Sequence, residues 1–355
     1  MADGRVLLTG FPGFIGRRLA TRLIDDGANL TALVEPRMAD AARKAAPDGL
    51  EVLEGDITEQ RLGLADEDWE RLTTELSSIF HLAAVYDLAV PAEIAQRVNV
   101  DGTGNVLELC VACEKLERLN YVSTAYVAGW RSGVVYEHEL SLGQSFKNHY
   151  ESTKFQAEVW VRDEMDRVPT TIYRPAVVVG DSKTGETQKF DGPYFLLRVV
   201  SVAERRHMPL PQFGRAEAPF NVVPVDFVVD SLAAASAEPE AVGQTLHLVD
   251  PEPVTAAELL RILAREYAGL EPRYRLPASL VTNMLRLGTV RKAFGGAPRE
   301  SIVYLNHPVQ FDTRRTREVL ARAGLSVPGF EDYAEAMVRY YREHEDDPSY
   351  VPNGG

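Results

Sequence analysis

The chain has 355 residues, 45% hydrophobic and 25% charged. That is ordinary globular composition, with length for one large domain or two small ones. A formal net charge of −14 argues against a nucleic-acid or anionic-membrane surface, although a local basic pocket on an acidic protein can still take an anionic substrate. No apolar run approaches the ~18 residues of a membrane span. The opening M-A-D-G-R has no signal-peptide pattern, so a cytoplasmic location is expected.

Residues 5–9 form a short apolar run that ends in a glycine loop. Residues 15–26 are amphipathic and stop at Gly27, a helix C-terminal signal. Strands are expected at 29–34, 49–54, 78–82 and 119–123. Helices are expected at 69–76, within 94–117, and at 150–167. Residues 170–179 read as one strand containing Pro175. Strand and helix alternate with short connections, which predicts an α/β fold: a doubly wound parallel sheet with helices on both faces. After Gly180 the regularity fades. The segment 181–219 carries loops and one helix near 194–205. Strands are expected at 221–225 and 245–248, a helix over 255–267 behind the cap-like Thr255, and mostly helix beyond. The expected organisation is a dinucleotide-binding domain over 1–180, to which segments near 221–250 return. A smaller, mostly helical substrate lobe takes 181–220 and 251–345, and 346–355 is a polar tail.

The loop T-G-F-P-G-F-I-G follows the first strand and opens a helix. Gly10 supplies the sharp turn, Gly13 lets backbone approach phosphate, and Gly16 allows close helix–strand packing. Phe11, Pro12, Phe14 and Ile15 complete the predicted cradle, and the helix N-terminus faces the pyrophosphate with free N–H groups. Glu35 lies just past the second strand. A carboxylate there accepts from an adenosine ribose and repels a 2′-phosphate, so NAD(H) is favoured over NADP(H). Arg37 is the competing phosphate ligand. Asp56 and Ile57 follow the third strand, with Asp56 placed either to bond the adenine amino group or to cap a turn. Ala83 and Ala84 are small enough for close cofactor approach. His81 sits within the apolar strand and reads as a packed, hydrogen-bonded histidine. Cys110 and Cys113 lie inside a helical pattern without further ligands nearby, so two reduced thiols and no metal are expected.

Hydride chemistry at a carbonyl needs a proton donor or acceptor beside the carbon. In Y-E-S-T-K, Tyr150 and Lys154 stand one helical turn apart on the same side of a helix. A nearby ammonium is expected to lower the phenol's pKa. Thr124 and Ser123, at the carboxyl edge of the sheet, are the candidates to hold the substrate oxygen, Thr124 first.

With these parts in order the chain resembles the extended short-chain dehydrogenase/reductase family. The resemblance rests on T-G-F-P-G-F-I-G, G-D-I (55–57), H-L-A-A (81–84), N-V-D-G-T (99–103), V-S-T-A-Y-V (122–127), Y-E-S-T-K and Y-R-P-A-V-V-V-G (173–180). It implies a Thr124–Tyr150–Lys154 triad, with Pro175, Val177 and Val178 lining the nicotinamide. V-S-T-A-Y-V followed by F-N-V-V-P-V-D-F-V-V-D (220–230) is most similar to the fatty acyl-CoA and thioester reductase branch, whose members generally use NADPH. Glu35 departs from that branch, where arginine is more usual. No adenylation or carrier domain is expected ahead of the first strand.

The resemblance implies an NAD(P)-dependent oxidoreductase acting on a carbonyl, acyl thioester or secondary alcohol; a small-molecule substrate, an acyl thioester or other anionic carrier among the candidates, is expected, and the sequence leaves the oligomeric state open, a homodimer included. The alternatives are a sugar-nucleotide epimerase or dehydratase and a non-catalytic cofactor sensor. Ala125 and Tyr126 stand where a 4,6-dehydratase would carry an acidic pair. A sensor would be expected to lose the tyrosine or lysine. Two basic clusters, Arg205–Arg206–His207 and Arg286–Arg291–Lys292, are the candidates to attract an anionic carrier; the bland reading of each is a solvated helix end.

Overall fold

The first strand shows how the sheet is buried. Side chains along a strand alternate between faces. In β1 (Arg5–Thr9), Val6 and Leu8 enter one core and Leu7 the other, and all three are buried. A strand covered on both faces reads as a continuous apolar run, the mark of a parallel sheet between helical layers. The computed structural model describes residues 4–86, 90–213, 218–276, 304–305 and 307–350.

Along the chain follow α1 (Phe14–Asp25), β2 (Asn29–Val34), α2 (Ala39–Ala45), β3 (Glu51–Glu54), α3 (Asp66–Glu75), β4 (Leu76–His81), α4 (Ala92–Ala95), α5 (Gly102–Ala112) and β5 (Arg118–Val122). Then come β6 (Gly133–Val135), α6 (His149–Asp163), β7 (Thr170–Pro175), β8 (Val177–Val179), α7 (Tyr194–Arg205), β9 (Pro211–Phe213), β10 (Val222–Pro224), α8 (Val225–Ala237) and β11 (Thr245–Leu248). The described residues close with α9 (Ala256–Ala268), β12 (Tyr274–Leu276), β13 (Val309–Phe311), α10 (Arg314–Ala321) and α11 (Phe330–His344).

Seven strands pair in parallel in the order β3-β2-β1-β4-β5-β7-β11. The strand order reverses between β1 and β4, the switch point where ligands bind in such sheets. Helices α1 and α8 cover one face through Leu19, Leu23, Val228 and Leu232. Helices α3, α5 and α6 cover the other through Leu72, Val106, Leu109 and Val161. Trimming one such buried leucine to alanine costs ~2–5 kcal/mol. A third cluster joins α7, α9 and α11 through Leu197, Val200, Leu259, Leu263, Tyr333 and Met337.

Several expectations shift. The expected strand over 170–179 is two strands. Proline ends β7, Ala176 N–H donates to the Leu248 carbonyl, and Val177 N–H turns to Asn221. β8 therefore pairs with β10 in a separate parallel ribbon. The helix expected at 69–76 begins earlier, at Asp66, because Asp66, Glu67 and Asp68 supply the acidic first turn that suits a helix dipole. The helix within 94–117 contains a π-helical turn at Gln96–Asp101 and ends at Ala112. Cys113 is thus its C-cap rather than an interior residue. Thr255 does cap α9, in a full capping box with Glu258. In the segment expected as a polar tail, the Tyr350 ring stacks on Phe190 at 4.8 Å and its hydroxyl pairs with that of Tyr340 at 2.6 Å.

One long-range contact completes α10. Its N-cap, Thr313, makes no side-chain cap. Instead the buried Glu137 carboxylate accepts from the backbone N–H groups of Arg315 (2.7 Å) and Thr316 (3.0 Å), from the Thr316 hydroxyl, and from His247 N–H.

Candidate active site

The glycine loop is tight because nothing larger fits. Gly10 has φ +90°, and a Cβ there would lie 2.9 Å from Ala83 N. A Cβ on Gly13 or Gly16 would lie 2.8 or 2.5 Å from the Gly10 carbonyl. Gly13 is exposed at the start of α1, which has no side-chain cap, so first-turn N–H groups are left for an anion. Pro12, Phe14 and Ile15 are half-exposed around it. Phe11 is buried in the core and can offer only its backbone. The glycines are required by the loop's own close packing, and the exposed Gly13 with the uncapped first turn of α1 is the part that suits a dinucleotide pyrophosphate.

Behind the loop runs a hydrogen-bonded chain that the sequence pattern did not reveal. The Thr103 hydroxyl donates to the Asn99 carbonyl at 2.7 Å, so its oxygen accepts from His81 Nε2 at 3.1 Å. His81 Nδ1 then accepts from Thr9 at 2.7 Å, and Thr9 Oγ1 accepts from Ala83 N–H at 3.2 Å. Burial, helped by the charge of Lys154, holds the imidazole pKa down at about 3. His81 is a fixed neutral strut between β1, β4 and α5, as its apolar setting suggested. Ala83 and Ala84 follow it, half-exposed at the carboxyl edge.

The residues after β2 and β3 are less committed. Glu35 and Arg37 pair with each other at 2.6 Å on an open surface. Asp56 Oδ1 accepts from Thr58 N–H at 2.8 Å, the turn-capping arrangement. Ile57 packs on Gly102, and its carbonyl accepts from Asn105 at 2.7 Å. Pro175 is buried at the end of β7, and Val177 and Val178 are half-exposed beyond it.

Thr124 and Tyr150 are brought together. Thr124 caps a short 3₁₀ turn after β5, its hydroxyl accepting from Tyr126 N–H at 3.3 Å and lying near enough to the Tyr150 phenol to lower its pKa. Tyr150 is in the first turn of α6, which Asn148 caps by accepting from Glu151 N–H at 2.9 Å. The Tyr86 ring stands edge-on to Tyr150 at 5.4 Å. One turn on, buried Lys154 donates to the Val122 carbonyl at 2.8 Å and lies 4.6 Å from the Tyr121 ring centre. Burial pushes its pKa down to about 7, against the pull of Glu158.

Here the electrostatics depart from expectation. Burial raises the Tyr150 pKa, Thr124 only partly offsets this, and Glu151 adds to the rise. The phenol is a protonated acid at neutral pH. Ser123 is not free to hold a substrate oxygen, because its hydroxyl donates to buried Glu158 at 2.6 Å. Burial works to raise the Glu158 pKa, but Arg174, bonded to it at 2.6 Å, wins and keeps it ionised. Glu158 is four residues beyond Lys154 on the same helix, a spacing that could have flagged it.

Both thiols are held protonated. Burial pushes Cys113 up to about 12 and Cys110 well above its usual value, and neither is bonded to the other. Among the described residues no group of His, Cys, Asp and Glu is arranged to hold a metal ion, and no helix is long and apolar enough to cross a membrane. In the first basic cluster Arg205 pairs with Glu345 at 2.8 Å and Asp346 at 3.2 Å. The second cluster, Arg286, Arg291 and Lys292, lies outside the described residues.

Comparison with known proteins agrees with this architecture. The family model described as male sterility protein matches residues 8–232. The nonribosomal peptide synthetase asaC of Aspergillus flavus is 27% identical over 71% of this chain and 26% of its own. A carboxylic acid reductase of Segniliparus rugosus is 28% identical over 64% of this chain and 22% of its own. The chain thus spans about a quarter of the length of these curated relatives. Among solved structures, the terminal R domain of the myxalamid PKS-NRPS biosynthetic pathway superposes with a TM-score of 0.83 at 26% identity, covering 98% of this chain and 93% of that one. MoeE5, solved with UDP-glucuronic acid and NAD, shares the fold at 22% identity and a TM-score of 0.67, covering 96% of this chain and 99% of that one. The chain belongs to the male sterility protein family, within the extended short-chain dehydrogenase/reductases.

Proposed function

We propose that this chain reduces the carbonyl of an aldehyde, ketone or acyl thioester with a reduced nicotinamide dinucleotide, using Thr124, Tyr150 and Lys154. One observation carries the reading: a half-buried phenol, held protonated and standing beside Thr124, at the carboxyl edge of the sheet that also carries the glycine loop. A group held protonated at neutral pH suits proton donation, which is the reductive direction. When bound, the dinucleotide supplies the hydride. Tyr150 delivers the proton to the carbonyl oxygen, Thr124 orients that oxygen, and Lys154 places positive charge behind the phenol. The inclusion of acyl thioesters draws support from the carboxylic acid reductase and terminal R domain relatives, and the substrate is a small molecule or carrier-bound acyl group. The chain is read as working without nucleic acid or membrane.

The test follows reduced-dinucleotide consumption with hexanal and hexanoyl-CoA. Tyr150→Phe is expected to lower turnover by ~10²-fold or more, the scale of a lost general acid, with dinucleotide affinity unchanged. Near-normal turnover in that variant rejects the assignment.

For the cofactor we propose NAD(H), on the carboxylate of Glu35. Its ion pair with Arg37 places both charges at one spot, so the choice turns on which of them meets the ribose. Wild type is expected to bind NADH tighter than NADPH by titration, and Glu35→Arg should shift the ratio toward NADPH by roughly tenfold, the worth of one charged hydrogen bond. Tighter NADPH binding by wild type would make Arg37 the phosphate ligand.

A further inference from the structure

Two hydrogen bonds tie the end of β5 to α6 beside the reacting groups. Lys154 Nζ, on α6, donates to the Val122 carbonyl at 2.8 Å. The hydroxyl of the next residue, Ser123, donates to Glu158 of α6 at 2.6 Å. Ser123 N–H also donates to the Tyr173 carbonyl of β7 at 2.7 Å, so Ser123 is held from two sides. Thr124 follows it directly in the chain. Glu158 stands on the helix that also carries Tyr150, about two turns further on.

Glu158 is fully buried yet ionised. A buried carboxylate is costly unless it is paired and hydrogen-bonded. Arg174 bonds it at 2.6 Å and Arg162 at 3.1 Å. The two arginines account for the charge of Glu158. They do not account for its bond to Ser123, nor for its place one turn beyond Lys154. Lys154 is itself buried, and its hydrogen bond goes to a neutral carbonyl. The charge that pulls its pKa upward against burial is that of Glu158.

We propose that Glu158 is a positioning residue of this site: through Ser123 it fixes Thr124 against Tyr150, and through its charge it keeps the Lys154 ammonium behind the phenol. The inference rests on the reductase reading above and deepens it. The other groups facing this pair do not titrate near neutrality. Burial holds His81 of β4 and His247 of β11 down at about 3. It raises Tyr121 of β5 well above its usual value, and Arg162 and Arg174 keep their charge.

Two substitutions separate the two contacts. Glu158→Gln keeps an acceptor for Ser123 and removes the charge. Ser123→Ala keeps the charge and removes the tie. Lysine labelled with ¹³C at Cε reports the Lys154 titration, its signal assigned by its loss in Lys154→Met. Reduction of hexanal and hexanoyl-CoA reports the reaction. In Glu158→Gln the Lys154 midpoint should fall by about one pH unit, the scale of a lost opposite charge nearby, and the alkaline limb of kcat/KM should fall with it. In Ser123→Ala kcat should drop roughly tenfold, less than the ~10²-fold cost of a ~1 Å misplacement, with KM and the Lys154 midpoint unchanged. A midpoint that stays put in folded Glu158→Gln overturns the proposal, and so does an unchanged kcat in Ser123→Ala. Lowered stability in either variant without those effects makes Glu158 a packing residue and also overturns it. If wild type reduces neither substrate while the Glu158→Gln midpoint still falls, the reductase reading fails and the hold of Glu158 on Lys154 stands. Ser123→Ala removes a single hydroxyl, so it can refute the proposal even where Glu158→Gln does not fold.

Discussion

Lys154 carries its charge where charge is expensive. Its pKa in the folded chain is held at about 7 by burial, against ~10.4 for a free lysine. Between those values the unfolded chain binds a proton that the native chain has released, so stability contributed by this group rises with pH across that window. Wild type should therefore gain on Lys154→Met in urea midpoint as pH is raised from about 7 to about 9.5, measured on the two proteins side by side. A pH-independent difference would mean the ammonium is solvated as an ordinary surface lysine is. Tyr150 titrates in the opposite sense and far above this range, so it does not blur the comparison.

The loop and the helix it opens act as one element. At Gly16 a Cβ would meet the Gly10 carbonyl oxygen at 2.5 Å and its carbon at 2.9 Å, both backbone atoms that cannot swing away. Gly16→Ala is expected to cost ~1–3 kcal/mol, the usual scale of overpacking, and to weaken dinucleotide binding roughly tenfold as the cradle opens. Thermal unfolding and a fluorescence titration of NADH check the two effects, and unchanged affinity would dissociate α1 from the cofactor. This part of the site was legible in the sequence because every spacing that defines it is local: the glycines of one turn, and Tyr150 and Lys154 on one helix. The supports were not. Glu158 meets Ser123 and Arg174, Glu151 meets Tyr304, and Thr9 meets His81. Each of those pairings exists only after distant segments pack. The direction of the Tyr150 shift escaped for the same reason, since burial, not the neighbouring lysine, decides it.

At the scale of the whole molecule, the βαβ alternation was readable because a buried parallel strand is an unbroken apolar run. The pairing of β8 with β10 was not, because three residues on each side carry too little pattern to reveal a partner. Nor was the link between Glu137 and α10, separated by 178 residues at Arg315. That link bears on the order of events in folding. The helix cannot acquire its cap until chain far upstream has already been set in place, and closing so long a loop is entropically disfavoured early. The cap should form on the native side of the main barrier. Glu137→Gln is then expected to speed unfolding while leaving the refolding rate nearly unchanged, a φ-value near zero in stopped-flow denaturant jumps. A variant slowed in refolding would put this capping contact in the folding nucleus. On the expected result, Glu137 acts as a latch: it sets how long the finished molecule stays folded, with little say in how fast it gets there.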